Sequence, residues 1–141
     1  MNKYMSAAIA LAESKKNEIP VGAVIVKDRC VISSACNSMA EKNNPLAHAE
    51  TEAINMALSV LGETYLSDCD IYVTKEPCLM CFGAIMHARI RRVYFGAYDL
   101  KYGACDYILA IMDKKKTNHC PEIYGGIMEN ECKRLLEDFF I

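Results

Sequence analysis

Short runs of β-forming residues alternate with segments of helical periodicity along the whole chain, a pattern that implies a sheet covered by helices. Asn2 to Lys16 opens the series, with Met5, Ala8, Ile9 and Ala12 recurring at helical spacing and charges opposite them. Pro20 cannot continue that helix, so Val21 to Val26 reads as a buried strand. Asp28 and Arg29 turn the chain into a second strand, Cys30 to Ala35. A polar loop, Asn37 to Pro45, leads to a helix over His48 to Leu61, ended by Gly62. Its inner face is read as Ala49, Ala53, Met56, Ala57 and Val60. Asp70 to Thr74 is a strand, Cys78 to Ala88 a helix and Arg92 to Gly96 a strand. Tyr98 to Gly103 is a loop, followed by a short helix over Cys105 to Met112. Thr117 to Gly126 is irregular, with a short strand around Glu122 to Tyr124. Glu129 to Phe140 closes as a helix with Cys132, Leu135, Leu136 and Phe139 inward. The tight turn makes the first two strands antiparallel, so the expected α/β sandwich has a mixed sheet.

At 141 residues the chain fits one domain, 1–141, with no internal repeat or linker. A domain of that size buries roughly two-thirds of its unfolded surface, enough for one core. No apolar run approaches the roughly 20 residues that cross a bilayer, so no membrane association is expected. Lys3, Glu13, Lys15 and Lys16 are scattered about an alanine-rich stretch, without the ordered regions of a signal peptide. The net charge of −2 does not advertise nucleic-acid binding. Any RNA contact by charge rests on local patches, Arg89, Arg91 and Arg92 or Lys114 to Lys116, which read equally well as solvated surface. Eight cysteines in a chain this long and apolar, without an export signal, fit a reducing, cytoplasmic setting better than a disulfide framework. Cys30, Cys36, Cys69, Cys105, Cys120 and Cys132 default to core or surface thiols.

Chemistry concentrates in His48-Ala49-Glu50 and Pro77-Cys78-Leu79-Met80-Cys81. A catalytic zinc ion takes three protein ligands and leaves a fourth position for water, and one histidine with two cysteines supplies three. Cys78 and Cys81 lie three apart at the start of a helix, on one face, where free N–H groups favour thiolates. His48 stands at the corresponding place on the preceding helix, so two helix N-termini converge on the ion. Residues two apart on a helix point to opposite sides. Glu50 therefore shares the site only if the metal lies over the helix end, where it acts as proton carrier and not as ligand. Each element has a plainer reading. Cys-x-x-Cys at a strand-to-helix junction also suits thiol redox chemistry, and a structural zinc site normally wants a fourth ligand. His48 alone reads as a helix-end histidine, Glu50 alone as a solvated first-turn carboxylate, and Met80 and Met86 as core.

His-x-Glu followed by Pro-Cys-x-x-Cys resembles the signature of zinc nucleobase deaminases. The stretch Val73-Thr74-Lys75-Glu76-Pro77-Cys78 through His87-Ala88-Arg89-Ile90 and on to Arg92-Val93-Tyr94-Phe95-Gly96-Ala97 resembles the bacterial tRNA-specific adenosine deaminase family. The likeness takes in Ile19-Pro20-Val21-Gly22-Ala23-Val24 and the Asp99-x-Lys101-x-Gly103-Ala104 loop, and reaches Asp138-Phe139-Phe140. It implies a three-layer α/β/α, cytidine-deaminase-like fold with a five-stranded sheet, one zinc ion per chain and a homodimer. It also implies hydrolysis of adenosine to inosine, by zinc-activated water, at the wobble position of a tRNA anticodon stem-loop. By the same likeness His48, Cys78 and Cys81 hold zinc, and Glu50 shuttles protons. Asn37 bonds the flipped base, Asp99 meets the anticodon backbone and Phe140 lies against a neighbouring nucleotide. From the residues alone, Asn37 reads as a turn residue and Phe140 as core. Tyr98 and Cys120 stand where the family is often basic, and Cys105-Asp106-Tyr107 replaces a smaller stretch. Free guanine or cytosine is the rival substrate, and a non-catalytic zinc or RNA-binding subunit the rival of a different class.

Overall fold

The computed structural model describes residues 2–106, 110 and 119–140. The lysine patch at 114–116 and most of the helix expected over 105–112 lie outside the described residues.

Five strands form one sheet: β1 (Gly22–Lys27), β2 (Cys30–Cys36), β3 (Asp70–Lys75), β4 (Arg92–Ala97) and β5 (Glu122–Tyr124). Their order across the sheet is β2-β1-β3-β4-β5. β1 pairs antiparallel with both β2 and β3, whereas β3–β4 and β4–β5 are parallel, so the sheet is mixed as expected. Asp28 and Arg29, both at positive φ (50° and 65°), make the two-residue turn between β1 and β2.

The helices described over their whole length are α1 (Lys3–Glu13), α2 (Met39–Lys42), α3 (Ala49–Leu61), α4 (Leu79–His87) and α5 (Glu129–Phe139). Side-chain alternation along the strands sorts them into two layers. Ala23, Ile25, Ile71, Val73, Val93 and Phe95 point to a core shared with Ala49, Ala53, Phe82 and Ile85 of α3 and α4. Val24, Val26 and Tyr72 point the other way, to Met5 and Ala8 of α1 and Cys132 of α5. The result is the three-layer α/β/α sandwich. Gly22 permits the closest approach: a Cβ there would overlap the carbonyl oxygen of Ala8, so α1 rests directly on the backbone of β1. On the same face a tyrosine row crosses three neighbouring strands, with Tyr72 over Tyr94 at 4.5 Å and Tyr94 over Tyr124 at 5.2 Å between ring centroids.

Several expectations shift. The first helix stops at Glu13, short of Lys16. The polar loop holds the one-turn α2, held in place by Glu18, whose carboxylate accepts from the N–H groups of Ala40 (3.0 Å) and Glu41 (2.8 Å). On α3 the buried face is Ala49, Glu50, Ala53, Ile54 and Ala57, and Met56 and Val60 are exposed. The alanine row sits at the middle of the contact, flanked by Ile54 and not by Met56. Phe139 is exposed and packs edge-on against Phe140, while Cys132 alone is fully buried on α5. Gly62 ends α3 in the left-handed conformation, φ 63°.

Candidate metal centre and active site

The chain reaches the site at two helix starts. His48 is the N-cap of α3 and Cys78 the N-cap of α4, both in extended backbone conformation, with Cys81 one turn along α4. N-cap side chains ordinarily accept a hydrogen bond from the first turn of their own helix. Neither His48 nor Cys78 does so, which leaves both free to face one another. Thr51 secures the start of α3 by donating its hydroxyl to the carbonyls of Leu46 (2.7 Å) and His48 (3.0 Å).

His48 Nδ1 lies 3.7 Å from Cys78 Sγ and 3.4 Å from Cys81 Sγ. All three donor atoms fall within 4.8 Å of one another. Tetrahedral zinc with ordinary Zn–S and Zn–N bonds places its nitrogen and sulfur ligands about 3.5 Å apart. The donor set fits the ion in both chemistry and spacing.

The charges of the two sulfurs point the same way. The Cys78 thiol is brought down to about 3 by the hydrogen bond from Cys81, against the cost of burial and with help from His48. The second proton, on Cys81, is pushed up by Cys78 and by burial. One negative charge thus rests on the sulfur pair, and a cation bound between them would release the second proton. The His48 imidazole is raised by its bond to Cys78.

Glu50, in the first turn of α3, is 4% exposed. Burial raises its pKa, and the negative charge at Cys78 adds to the rise. Among the described residues it belongs to no metal-ligating group. His48 sits at the helix end, and Glu50 lines the same cleft.

A cleft above these groups is lined by Ile19, Val21, Asn37, Met39, His48, Glu50, Lys75, Glu76 and Cys78. Asn37 is buried, and its Oδ1 has no hydrogen-bond partner. Such atoms are rare in folded proteins, and this one is free to accept a hydrogen bond. Asp99 is differently placed. Its Oδ1 accepts from the N–H groups of Lys101 and Tyr102 (both 3.0 Å), and its Oδ2 pairs with Lys75 Nζ at 2.9 Å. Phe140, 66% exposed at the C-cap of α5, takes no part in lining the cleft. Lys75 and Glu76 line it although the sequence did not single them out; the only signal was their place immediately before Pro77 and Cys78.

Arg91 grips Asp70 through two bonds (3.0 and 3.1 Å), and Arg92 pairs with Glu122 at 3.2 Å. The Arg89 guanidinium sits over the ring of Tyr65 at 4.0 Å. Arg91 and Arg92 are thus neutralised from within. All eight cysteines are free thiols, and no described helix is long and apolar enough to cross a membrane.

Residues 1–97 match the cytidine and deoxycytidylate deaminase zinc-binding region. The chain is 48% identical over 127 residues to a tRNA-specific adenosine deaminase of Rickettsia bellii, covering 89% of this chain and 88% of that protein. It is 42% identical over 139 residues to its counterpart in Agrobacterium fabrum, covering 97% and 91%. A solved structure from work on A-to-I editing by tRNA A34 deaminases at the wobble position superposes with a TM-score of 0.88 at 41% identity, covering 94% of this chain and 98% of that one. A guanine deaminase of Bacillus subtilis superposes at 0.68 with 32% identity, covering 100% and 96%. With its ligand set assembled and its relatives matched over nearly their full length, the chain belongs to the zinc-binding cytidine and deoxycytidylate deaminase family, among the tRNA-specific adenosine deaminases.

Proposed function

We propose that this protein hydrolyses adenosine to inosine at the wobble position of a tRNA anticodon. The observation that carries the reading is the buried Glu50 beside a three-donor metal centre, under a cleft that contains an unpartnered Asn37 carbonyl. Similarity to tRNA-specific adenosine deaminases supports the substrate.

His48, Cys78 and Cys81 would hold zinc, which when bound supplies the Lewis acidity that makes water reactive near neutral pH. The chain's own residues do the rest. Glu50 takes a proton from the attacking water at a carboxylate oxygen and delivers it to the purine ring nitrogen. A second transfer lets the amine depart as ammonia, so water enters and ammonia leaves with protons in balance. Burial favours the protonated carboxyl in that cycle. Asn37 Oδ1 accepts an N–H of the base and fixes its orientation. An unpaired anticodon loop suits a base splayed into such a pocket, because extrusion costs least where no partner strand holds it. Asp99 acts on the RNA backbone through the loop it organises, and Phe140 supplies an exposed ring for a neighbouring nucleotide.

The working unit in this reading is a homodimer in the cytoplasm. Exposed Met56 and Val60 on α3 and Leu79 on α4 support self-association, and the free thiols suit a reducing compartment.

Likeness to a guanine deaminase favours a second reading, release of ammonia from free guanine. The deciding experiment sequences anticodon stem-loops after incubation with the protein, alongside ammonia release from guanine and cytosine. Adenosine read as guanosine at the wobble position is expected; ammonia from a free base with unaltered RNA overturns the proposal.

A further inference from the structure

Glu76 belongs to no metal-ligating group among the described residues, yet it is buried, 6% exposed, at the junction of β3 and α4. Both oxygens are committed to one loop. The N–H of Asp99 donates to Oε1 at 3.1 Å, and the N–H of Cys105 donates to Oε2 at 3.2 Å. These are the two ends of the loop, so a single side chain closes it. The flanking backbone follows: Ala104 N–H donates to Pro77 O (3.0 Å) and Glu76 N–H to Ala97 O (2.8 Å). Gly103 lies so close that a Cβ there would overlap Glu76 Oε1 and the carbonyl of Asp99. Lys75 adds its ion pair to Asp99.

A buried carboxylate is tolerated when charge-assisted bonds satisfy it, and here both bonds come from this loop. Lys75 and Glu76 also line the cleft beside His48 and Glu50. The loop tip faces outward, with Leu100 and Tyr102 exposed and Lys101 Nζ 5.1 Å from the centre of the Tyr102 ring. Apolar, aromatic and cationic groups together suit contact with an unstacked base and its phosphate.

We propose that Glu76 is a positioning residue for the RNA substrate: it locks residues 99–105 as a fixed wall beside the cleft, so that the exposed tip meets the strand flanking the target base in one geometry. The inference rests on the deaminase reading above.

Glu76→Gln tests it, because the amide turns one acceptor into a donor facing an N–H and opens one of the two closures with little change of shape. Gly103→Ala pushes on the same contact from the other side and serves as the independent variant. Each should keep one zinc per chain and lower kcat/KM for an anticodon stem-loop about tenfold, mainly through KM. The amides of Asp99 and Cys105 should exchange faster in both. A merely structural role would not divide the loss in this way. Unmoved KM in both variants, or a loss confined to kcat, overturns the inference alone. Wild-type protein that converts no adenosine in the stem-loop overturns the deaminase reading, and this inference with it.

Discussion

Cys81 Sγ lies 3.4 Å from His48 Nδ1 although 33 residues separate them. The contact ties α3 to α4 at their N-terminal ends, so a metal ion there braces the fold as well as serving chemistry. Removing it with a chelator should lower the melting temperature. At free zinc about a thousandfold above Kd the metal adds roughly 4 kcal/mol to stability. Calorimetry with and without chelator checks this. Cys81→Ala should lose the metal, its melting point close to that of the stripped wild type.

Glu50→Ala should retain one zinc per chain, measured by atomic absorption, and lose at least about a hundredfold in turnover. Substantial activity in that variant removes Glu50 from proton transfer.

Asn37→Ala separates stability from activity. Its Oδ1 is buried and unpartnered, so removal relieves a desolvation penalty of about 1–3 kcal/mol. Thermal stability should hold or rise slightly while kcat/KM falls at least about tenfold. A fall in both quantities places Asn37 in the framework and not at the substrate.

Burial pushes the Asp99 carboxyl up, but the Tyr102 and Lys101 N–H donors and the Lys75 ammonium outweigh it and hold the pKa below the usual aspartate range. A depressed folded-state pKa means that the stabilisation is complete above the ordinary carboxylate range. It fades as pH falls through the lower folded value. The turn that Asp99 caps at Lys101 and Tyr102 should therefore stay ordered at neutral pH and loosen only in strong acid. Carboxyl carbon NMR, following Asp99 against pH, should give a midpoint below that of an exposed aspartate; a midpoint above it contradicts the assignment.

Gly96→Ala should destabilise by about 1–3 kcal/mol, because its Cβ would overlap Cys132 of α5 and the carbonyl of Thr74. Chemical denaturation measures the loss, and a value near zero shows that α5 yields at that point.

His48, Cys78 and Cys81 were legible in the sequence because coordination chemistry permits few residue types, and helix geometry restricts their spacing. The strands were legible for a similar reason: Pro20 and the Asp28-Arg29 turn punctuate apolar runs. Glu76 was not, since nothing local reveals that its oxygens accept from N–H groups 23 and 29 residues onward. The inner face of α3 was misjudged by one flank because Ala49, Ala53 and Ala57 mark only the middle of the contact. Ile54 and Met56 are equally apolar neighbours of that row, and tertiary packing chose between them. Phe139 looked inward by periodicity alone, yet it is exposed and packs edge-on against Phe140.

The tyrosine row across β3, β4 and β5 gives the molecule a spectroscopic handle of its own. The chain contains no tryptophan, so its near-ultraviolet signal comes chiefly from tyrosine. Stacked rings on adjacent strands couple optically only while those strands stay in register. Circular dichroism in that band would thus report detachment of the short edge strand β5, whose Tyr124 is the outermost ring, without any added label.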